Sequence, residues 1–324
     1  MPTSRLIADI GATHARFAVL TNDEIGQSQV FMVADYDTIM AAIAAYVGQF
    51  AADERPTEAA LAVAGPVIED RVVMMNSPWS FSIAGLKQQF GWTRLFVVND
   101  FAANALAVPV LTPDDLFPVG DGAPETGAPV AVLGPGTGLG VAGLIPVASD
   151  GVPGKTRWTA IPGEGGNVTL AALDSREAAI IDILRRQYAH VSAEIVLSGP
   201  GLVNLYESLC ELAGKPATPV TPEDVTHLYP GCDPQRREAV AIFCAMLGTF
   251  AGDVALTFGA RGGVYIMGGI VPKIAEIFRH SAFRERFEFK GRYRHYLSSV
   301  PTYVVMHPSP AFLGLKALFA SAGP

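Results

Sequence analysis

Two stretches of this chain share one plan, and that repetition constrains the fold more than any other feature. Asp9 to Leu20 and Leu133 to Ile145 each read as a strand, a turn of small residues carrying a threonine, and a second strand. The first turn is Gly11-Ala12-Thr13; the second is Gly134-Pro-Gly-Thr-Gly-Leu-Gly140, with four glycines in seven residues. Glycine lets the backbone approach a ligand without a side chain in the way, and turn N–H groups attract phosphate oxygens. A duplicated supersecondary unit is the economical explanation, and two similar halves facing each other would make a cleft. Neither turn continues into Lys-Ser or Lys-Thr, and no six-residue dinucleotide fingerprint sits at a strand-to-helix junction, so this is a different phosphate device.

The segments around these hairpins alternate between strand and helix, which predicts an α/β sheet covered by helices. A helix is expected from Tyr36 to Phe50, a strand from Glu58 to Ala64, and a loop over Asn76 to Trp79. Ser82 should cap a short helix ending near Gly91. Strand Leu95 to Val98 is followed by Asn99-Asp100 and an alanine-rich helix from Phe101 to Val108. The Pro-, Gly- and Asp-rich stretch from Val110 to Pro129 reads as a domain boundary. It divides a small domain, 1–110, from a large one, 111–307, with the last helix in 308–324 returning to the first. In the large domain, helices are expected from Ser175 to Tyr188, after Ser198, and from Pro234 to Phe258. Ile195 to Leu197 reads as strand, and a further strand ends on Gly268-Gly269.

Composition narrows the class. The formal net charge is −8, which argues against nucleic acid, because a phosphate-backbone binder needs a dense positive face. The basic run Arg284 to Arg294 is diluted by Glu285 and Glu288 and reads as a solvated surface. Cys210, Cys232 and Cys244 are odd in number and lack CxxC spacing, which fits buried thiols in a reducing compartment. No signal-peptide core is seen and no uncharged apolar run approaches the roughly 18 residues of a spanning helix. A cytoplasmic protein is therefore expected.

Phosphoryl transfer to a sugar needs phosphate charge neutralised and a base for the attacking hydroxyl. Asp100 follows an apolar strand and begins a helix, so it sits at the carboxyl end of a sheet, where open α/β folds place ligands. It is the candidate general base; a plain helix cap is the alternative that spacing leaves open. Asp9, on the strand entering the first turn, is placed to hold Mg²⁺ through water. Gly163-Glu-Gly-Gly166 presents Glu164 from a tight bend, and Glu194 is a second acidic candidate. With Asn99 and Asn167 they supply the carboxylates and amides that hold sugar hydroxyls.

Taken in order, Asp9 to Arg16, Val98 to Phe101, Gly134 to Val141, Pro162 to Gly166, His190 to Glu194, Leu197 to Tyr206 and Gly268 to Pro272 closely resemble the bacterial glucokinase family over nearly the whole chain. The resemblance implies a ribonuclease H-like, actin/hexokinase-type duplicated α/β fold with two domains around a cleft. It implies glucose phosphorylated at its 6-hydroxyl, ATP and Mg²⁺ as cosubstrates, and a homodimer. By position, Asn99, Asp100, Glu164, Asn167 and Glu194 fall on the family's glucose segments. Ala8, Asp9, Ile10, Gly11, Ala12 and Thr13, together with Gly136, Thr137 and Gly138, fall on its phosphate segments. Gly268 and Gly269 match its adenosine segment.

Two positions depart from the family's pattern. Ala12 stands where a second glycine is usual, and Asn167 stands where histidine is usual. Asparagine is shorter and does not titrate near neutrality. Epimer choice depends on the partners of a single hydroxyl, so a kinase for mannose, fructose or an amino sugar stays open. A sugar-sensing regulator of the ROK type would need a helix-turn-helix extension and commonly a cysteine-rich zinc motif, neither of which is seen. Asp100 and both phosphate turns speak against a catalytically dead sugar binder.

Overall fold

The computed structural model describes residues 4–74, 77–148 and 156–321; Asn76, the first residue of the expected loop, lies outside them. The described residues divide into two compact units. One holds those of Met1–Leu111, Ser149–Pro162 and Pro308–Pro324, the other those of Thr112–Ala148 and Gly163–His307.

The first unit is built on a sheet whose central strands are apolar enough to be covered on both faces. Strand β1 (Ser4–Ile10) runs antiparallel to β2 (His14–Thr21), which also pairs with the short β3 (Glu24–Ile25) and with β4 (Gln29–Met32). After helix α1 (Ile39–Val47), capped by Thr38, strand β5 (Glu58–Val63) joins β1 in parallel, and all six of its residues are buried. A small sheet of β6 (Val67–Ile68), β7 (Arg71–Val73) and β8 (Ser80–Ser82) follows. Helix α2 (Ile83–Phe90) starts on the Ser82 cap and stops at Gly91 in the left-handed region, φ 64°, as its sequence predicts. Strand β9 (Arg94–Asn99) then lies parallel to β5 and leads straight into α3 (Asp100–Ala107).

In the second unit the sheet runs β10 (Leu116–Pro118), β15 (Thr302–Val305), β14 (Val264–Ile266), β11 (Val130–Pro135) and β12 (Leu139–Ala148). Strands β11, β14 and β15 are parallel, and β12 returns antiparallel from β11. Strand β13 (Thr156–Gly163) leads into the Gly-Glu-Gly-Gly segment. The helices are α4 (Ser175–Leu184), α5 (Gly199–Leu212), α6 (Pro222–Thr226), α7 (Pro234–Phe258), α8 (Ala275–Arg279), α9 (Phe283–Glu288) and α10 (Arg294–Ser298). Helix α7 is long and apolar enough, by length and composition, to cross a membrane, but 72% of its apolar window is buried. It is the core helix of this unit. The expected 25-residue span from Pro234 is found to the residue.

The last helix, α11 (Pro310–Ser321), belongs to the first unit, where it lies on α3 and on the back of the sheet. Its Ala311, Phe312, Leu315 and Phe319 share a buried cluster with Ile7, Ala60 and Ala103. At Gly314 a methyl group would fall 1.8 Å from the Ala103 carbonyl oxygen, so only glycine lets these two helices meet.

Two expectations are corrected. Ile195 to Leu197 is not a strand. The Leu197 N–H donates to the Ala193 carbonyl at 2.8 Å, and the segment turns so that Ser198 can cap α5. The basic run Arg284 to Arg294 is a solvated surface only in its second half, where Arg292 and Arg294 are exposed; Arg284 and Arg286 are shielded. Arg284 keeps 13% side-chain exposure and donates to the Val300 and Ser298 carbonyls at 2.8 and 3.0 Å. Arg286 pairs with Glu177 at 2.7 Å, with exposures of 13% and 3%. These guanidiniums satisfy carbonyls and a carboxylate inside the unit, the setting in which arginine is tolerated away from water.

Candidate active site

In the first unit the sheet register gathers the expected residues at one edge. Ile10 is opposite Val63, and Val63 is opposite Asn99. All three strands are parallel, so the Gly11-Ala12-Thr13 turn and the Asn99-Asp100 pair both emerge at their carboxyl ends, about 10 Å apart at a strand spacing near 4.8 Å. Ala8 and Ile10 are fully buried and fix the strand. Gly11, Ala12 and Thr13 reach solvent. The turn is closed by the Gly11 N–H on the His14 carbonyl at 2.9 Å, and the Thr13 carbonyl accepts from the Val33 N–H at 2.9 Å.

Asp9 retains 24% side-chain exposure and takes a charged hydrogen bond from Arg16 at 3.3 Å. Burial raises its carboxyl above the ordinary aspartate value, and the Arg16 charge and hydrogen bond pull against that rise. Among the described residues no cluster of three or more His, Cys, Asp or Glu forms a metal centre. A single, partly exposed carboxylate suits a Mg²⁺ ion that keeps most of its waters and arrives on nucleotide phosphates.

Asn99 resolves the capping question. Its Oδ1 accepts from the N–H groups of Phe101 and Ala102 at 2.9 and 3.1 Å, and its Nδ2 donates to the Gly65 carbonyl at 3.4 Å. The cap of α3 is therefore Asn99, and Asp100 is the first helical residue. Asp100 Oδ1 accepts from the Phe101 N–H at 2.9 Å, which fixes the side chain against its own turn at the sheet edge.

In the second unit the expected residues gather around the second hairpin. Gly136, Thr137 and Gly138 form its tip between the paired Pro135 and Leu139, and Thr137 is exposed. Neighbouring segments grip this tip. The Gly199 N–H, in the first turn of α5, donates to the Gly136 carbonyl at 2.8 Å. Glu194 Oε2 accepts from the Leu139 N–H at 2.8 Å. The Glu194 N–H donates to the Gly166 carbonyl at 2.8 Å. A methyl group at Gly166 would fall 2.0 Å from the Leu139 carbonyl oxygen, and one at Gly268, whose φ is +89°, would fall 2.5 Å from the Pro135 carbonyl oxygen.

Glu164 and Asn167 lie on one short turn. Both are exposed, and the Asn167 N–H donates to the Glu164 carbonyl at 3.0 Å. Gly268 and Gly269 are exposed where the chain leaves β14. The unit thus brings Gly136, Thr137, Gly138, Glu164, Asn167, Glu194, Gly268 and Gly269 to one hairpin tip and the segments next to it.

Sequence reasoning missed the fixing groups: Leu139 through its N–H, Gly166 through its missing Cβ, and Gly199 through the start of α5. The only visible signal for them was glycine beside a charged residue in Gly163-Glu-Gly-Gly166. A cavity of about 300 Å³ behind this segment is lined mainly by apolar groups, including Val141, Val168, Met246 and Phe250. It holds none of the polar candidates, so it is not where phosphate or sugar chemistry is read.

The glucokinase family profile matches residues 6–322 of this chain. The chain belongs to the glucokinase family. A glucokinase from Paramagnetospirillum magneticum is 52% identical over 97% of this chain and 96% of its own length. One from Nitrobacter hamburgensis is 48% identical over 98% of each. Among solved structures, a glucokinase from an Antarctic psychrotroph superposes with a TM-score of 0.84 at 34% identity, covering 98% of both chains. A ROK hexokinase from Thermus thermophilus shares the fold alone, with a TM-score of 0.67 at 19% identity and full coverage of both chains.

Proposed function

We propose that this chain phosphorylates glucose at its 6-hydroxyl with ATP, with Asp100 as the general base. The observation that carries the base assignment is the shared sheet edge: Asp100 begins α3 where β9 ends, on the edge from which the Gly11 turn also emerges. Asn99 is the cap of the helix and Asp100 its first residue. The work of the Asp100 carboxylate is to orient the sugar hydroxyl and take its proton as the oxygen attacks phosphorus, and general-base help of this kind contributes about 10²–10⁴ in rate.

The backbone of Gly11 to Thr13 and of Gly136 to Gly138 would receive ATP phosphates, and Gly268-Gly269 would let the nucleoside approach. Asp9 is the carboxylate that would help hold Mg²⁺, which would supply charge neutralisation to the phosphates. Glu164, Asn167, Glu194 and the Asn99 amide would hold sugar hydroxyls. What supports this reading is that each group is partly exposed and converges on its own hairpin. The duplicated ribonuclease H-like fold with domains around a cleft, and the homodimer, belong to the same reading. Matched hairpins in the two units support the duplication, and the family resemblance supports the dimer. A cytoplasmic setting is supported by three cysteines buried as free thiols.

The test is a coupled assay for hexose 6-phosphate on the wild type and on Asp100→Asn. Glucose-dependent turnover that falls about 10²–10⁴-fold in the variant supports the base assignment. Turnover that survives moves the base elsewhere. Running mannose, fructose and an amino sugar beside glucose tests what Asn167 does to epimer choice; a preference for one of them overturns the substrate assignment.

A further inference from the structure

Glu194 touches the phosphate turn as well as standing in the expected sugar segment. Its Oε2 accepts from the Leu139 N–H at 2.8 Å, immediately after the Gly136–Gly138 tip. Its own N–H is held by the Gly166 carbonyl at 2.8 Å, so the carboxylate is carried on backbone already tied to the Gly-Glu-Gly-Gly segment. A hydrogen bond from a backbone N–H to a charged carboxylate is among the stronger kinds in proteins. We propose that the Glu194 carboxylate couples the two substrates: Oε2 fixes the phosphate turn while Oε1 takes a sugar hydroxyl, so filling either subsite orders the other.

The coupling rests on the proposed role of Glu194 as a sugar ligand. Sugar bound to one oxygen immobilises the carboxylate, which then holds Leu139 and the turn before it. Nucleotide bound to the turn fixes Leu139 and so orients the carboxylate for sugar. Linkage makes the two effects equal in binding free energy.

Gly138 offers a clean way in. It is not among the glycines of positive φ, so alanine fits its backbone. A methyl group there would lie 2.4 Å from Glu194 Oε2. The atom it meets is the far end of a flexible side chain, so the carboxylate moves and the fold stays. A change in the phosphate turn should therefore be read out at the sugar.

The experiment is crossed. Titration calorimetry measures glucose binding, without nucleotide, to wild type and Gly138→Ala. It then measures ADP binding, without sugar, to wild type and Glu194→Ala. A melting curve for each variant checks that it is folded. The expected result is glucose bound about ten-fold more weakly by Gly138→Ala, a change of about 1.4 kcal/mol, and ADP bound about ten-fold more weakly by Glu194→Ala. Folded Gly138→Ala with wild-type glucose affinity, or Glu194→Ala with wild-type ADP affinity, overturns the coupling. A wild type that binds ADP but no glucose overturns the sugar reading instead, and the Glu194→Ala arm still decides whether the turn is anchored by that carboxylate.

Discussion

The two hairpins that look alike in sequence are held in different ways. The first turn closes on its own backbone, Gly11 to His14, with one outside hydrogen bond, from the Val33 N–H to the Thr13 carbonyl, and Asp9 before it pairs with Arg16. The second is gripped from outside by α5, Glu194, Gly166 and Gly268. A methyl group at Gly11 would lie 3.3 Å from the His14 carbonyl, a tight but adjustable contact, whereas the corresponding clashes at Gly166 and Gly268 are with fixed backbone at 2.0 and 2.5 Å. Repetition of a motif therefore does not imply repetition of its support. In the first hairpin glycine shapes a turn; around the second, glycines clear room for other segments to press on it.

The largest test of that contrast is Gly166→Ala. Its methyl group has nowhere to go without moving Leu139, and overpacking against backbone should cost about 3 kcal/mol and lower kcat. A urea midpoint and turnover number equal to wild type would mean the second turn is not gripped as described. Next comes the far end of β1, where Glu58 sits between Arg5 and Arg94 at 2.9 and 2.6 Å with 8% exposure. The Arg94 hydrogen bond leads in holding the Glu58 carboxyl below the ordinary glutamate range, with Arg5 adding to it against the cost of burial. A depressed folded-state pKa means that the carboxylate stabilises the fold above the ordinary glutamate value and that the contribution fades as pH falls through the depressed one. Glu58→Gln should cost about 2 kcal/mol at neutral pH, and its difference from wild type should shrink in acid. Denaturation at several pH values checks this, and a gap independent of pH would break the claim that the first unit is clamped at the end opposite its turn. The smallest effect belongs to Gly11→Ala, expected below about 1 kcal/mol in stability. A loss as large as that at Gly166 would erase the contrast.

Much of this was legible because it is local. Hairpins, the Ser82 and Ser198 caps, the stop at Gly91 and the span of α7 follow from turn chemistry and short-range capping. Both glycine turns and the Asn99-Asp100 pair were visible for the same reason. What stayed hidden depends on partners far along the chain. Arg284 looked solvated because its carbonyl partners come from residues 297–300, beyond the reach of periodicity. Ile195 to Leu197 has strand-like composition, but the need to present Ser198 to α5 bends it into a turn. Which of Asn99 and Asp100 caps α3 is a matter of rotamers that spacing does not encode.

The seat of α11 on α3 has a consequence for how the protein is made. Every residue of the second unit is synthesised after α3 and before Gly314 can take its place on the Ala103 carbonyl. Until α11 has been made, the helix that begins with Asp100 lacks its cover, and Ala103 and the back of β1 and β5 stand open to water. Within this sequence the first unit is begun before the second and closed after it, so the second unit can mature while the one bearing Asp100 still lacks its last helix.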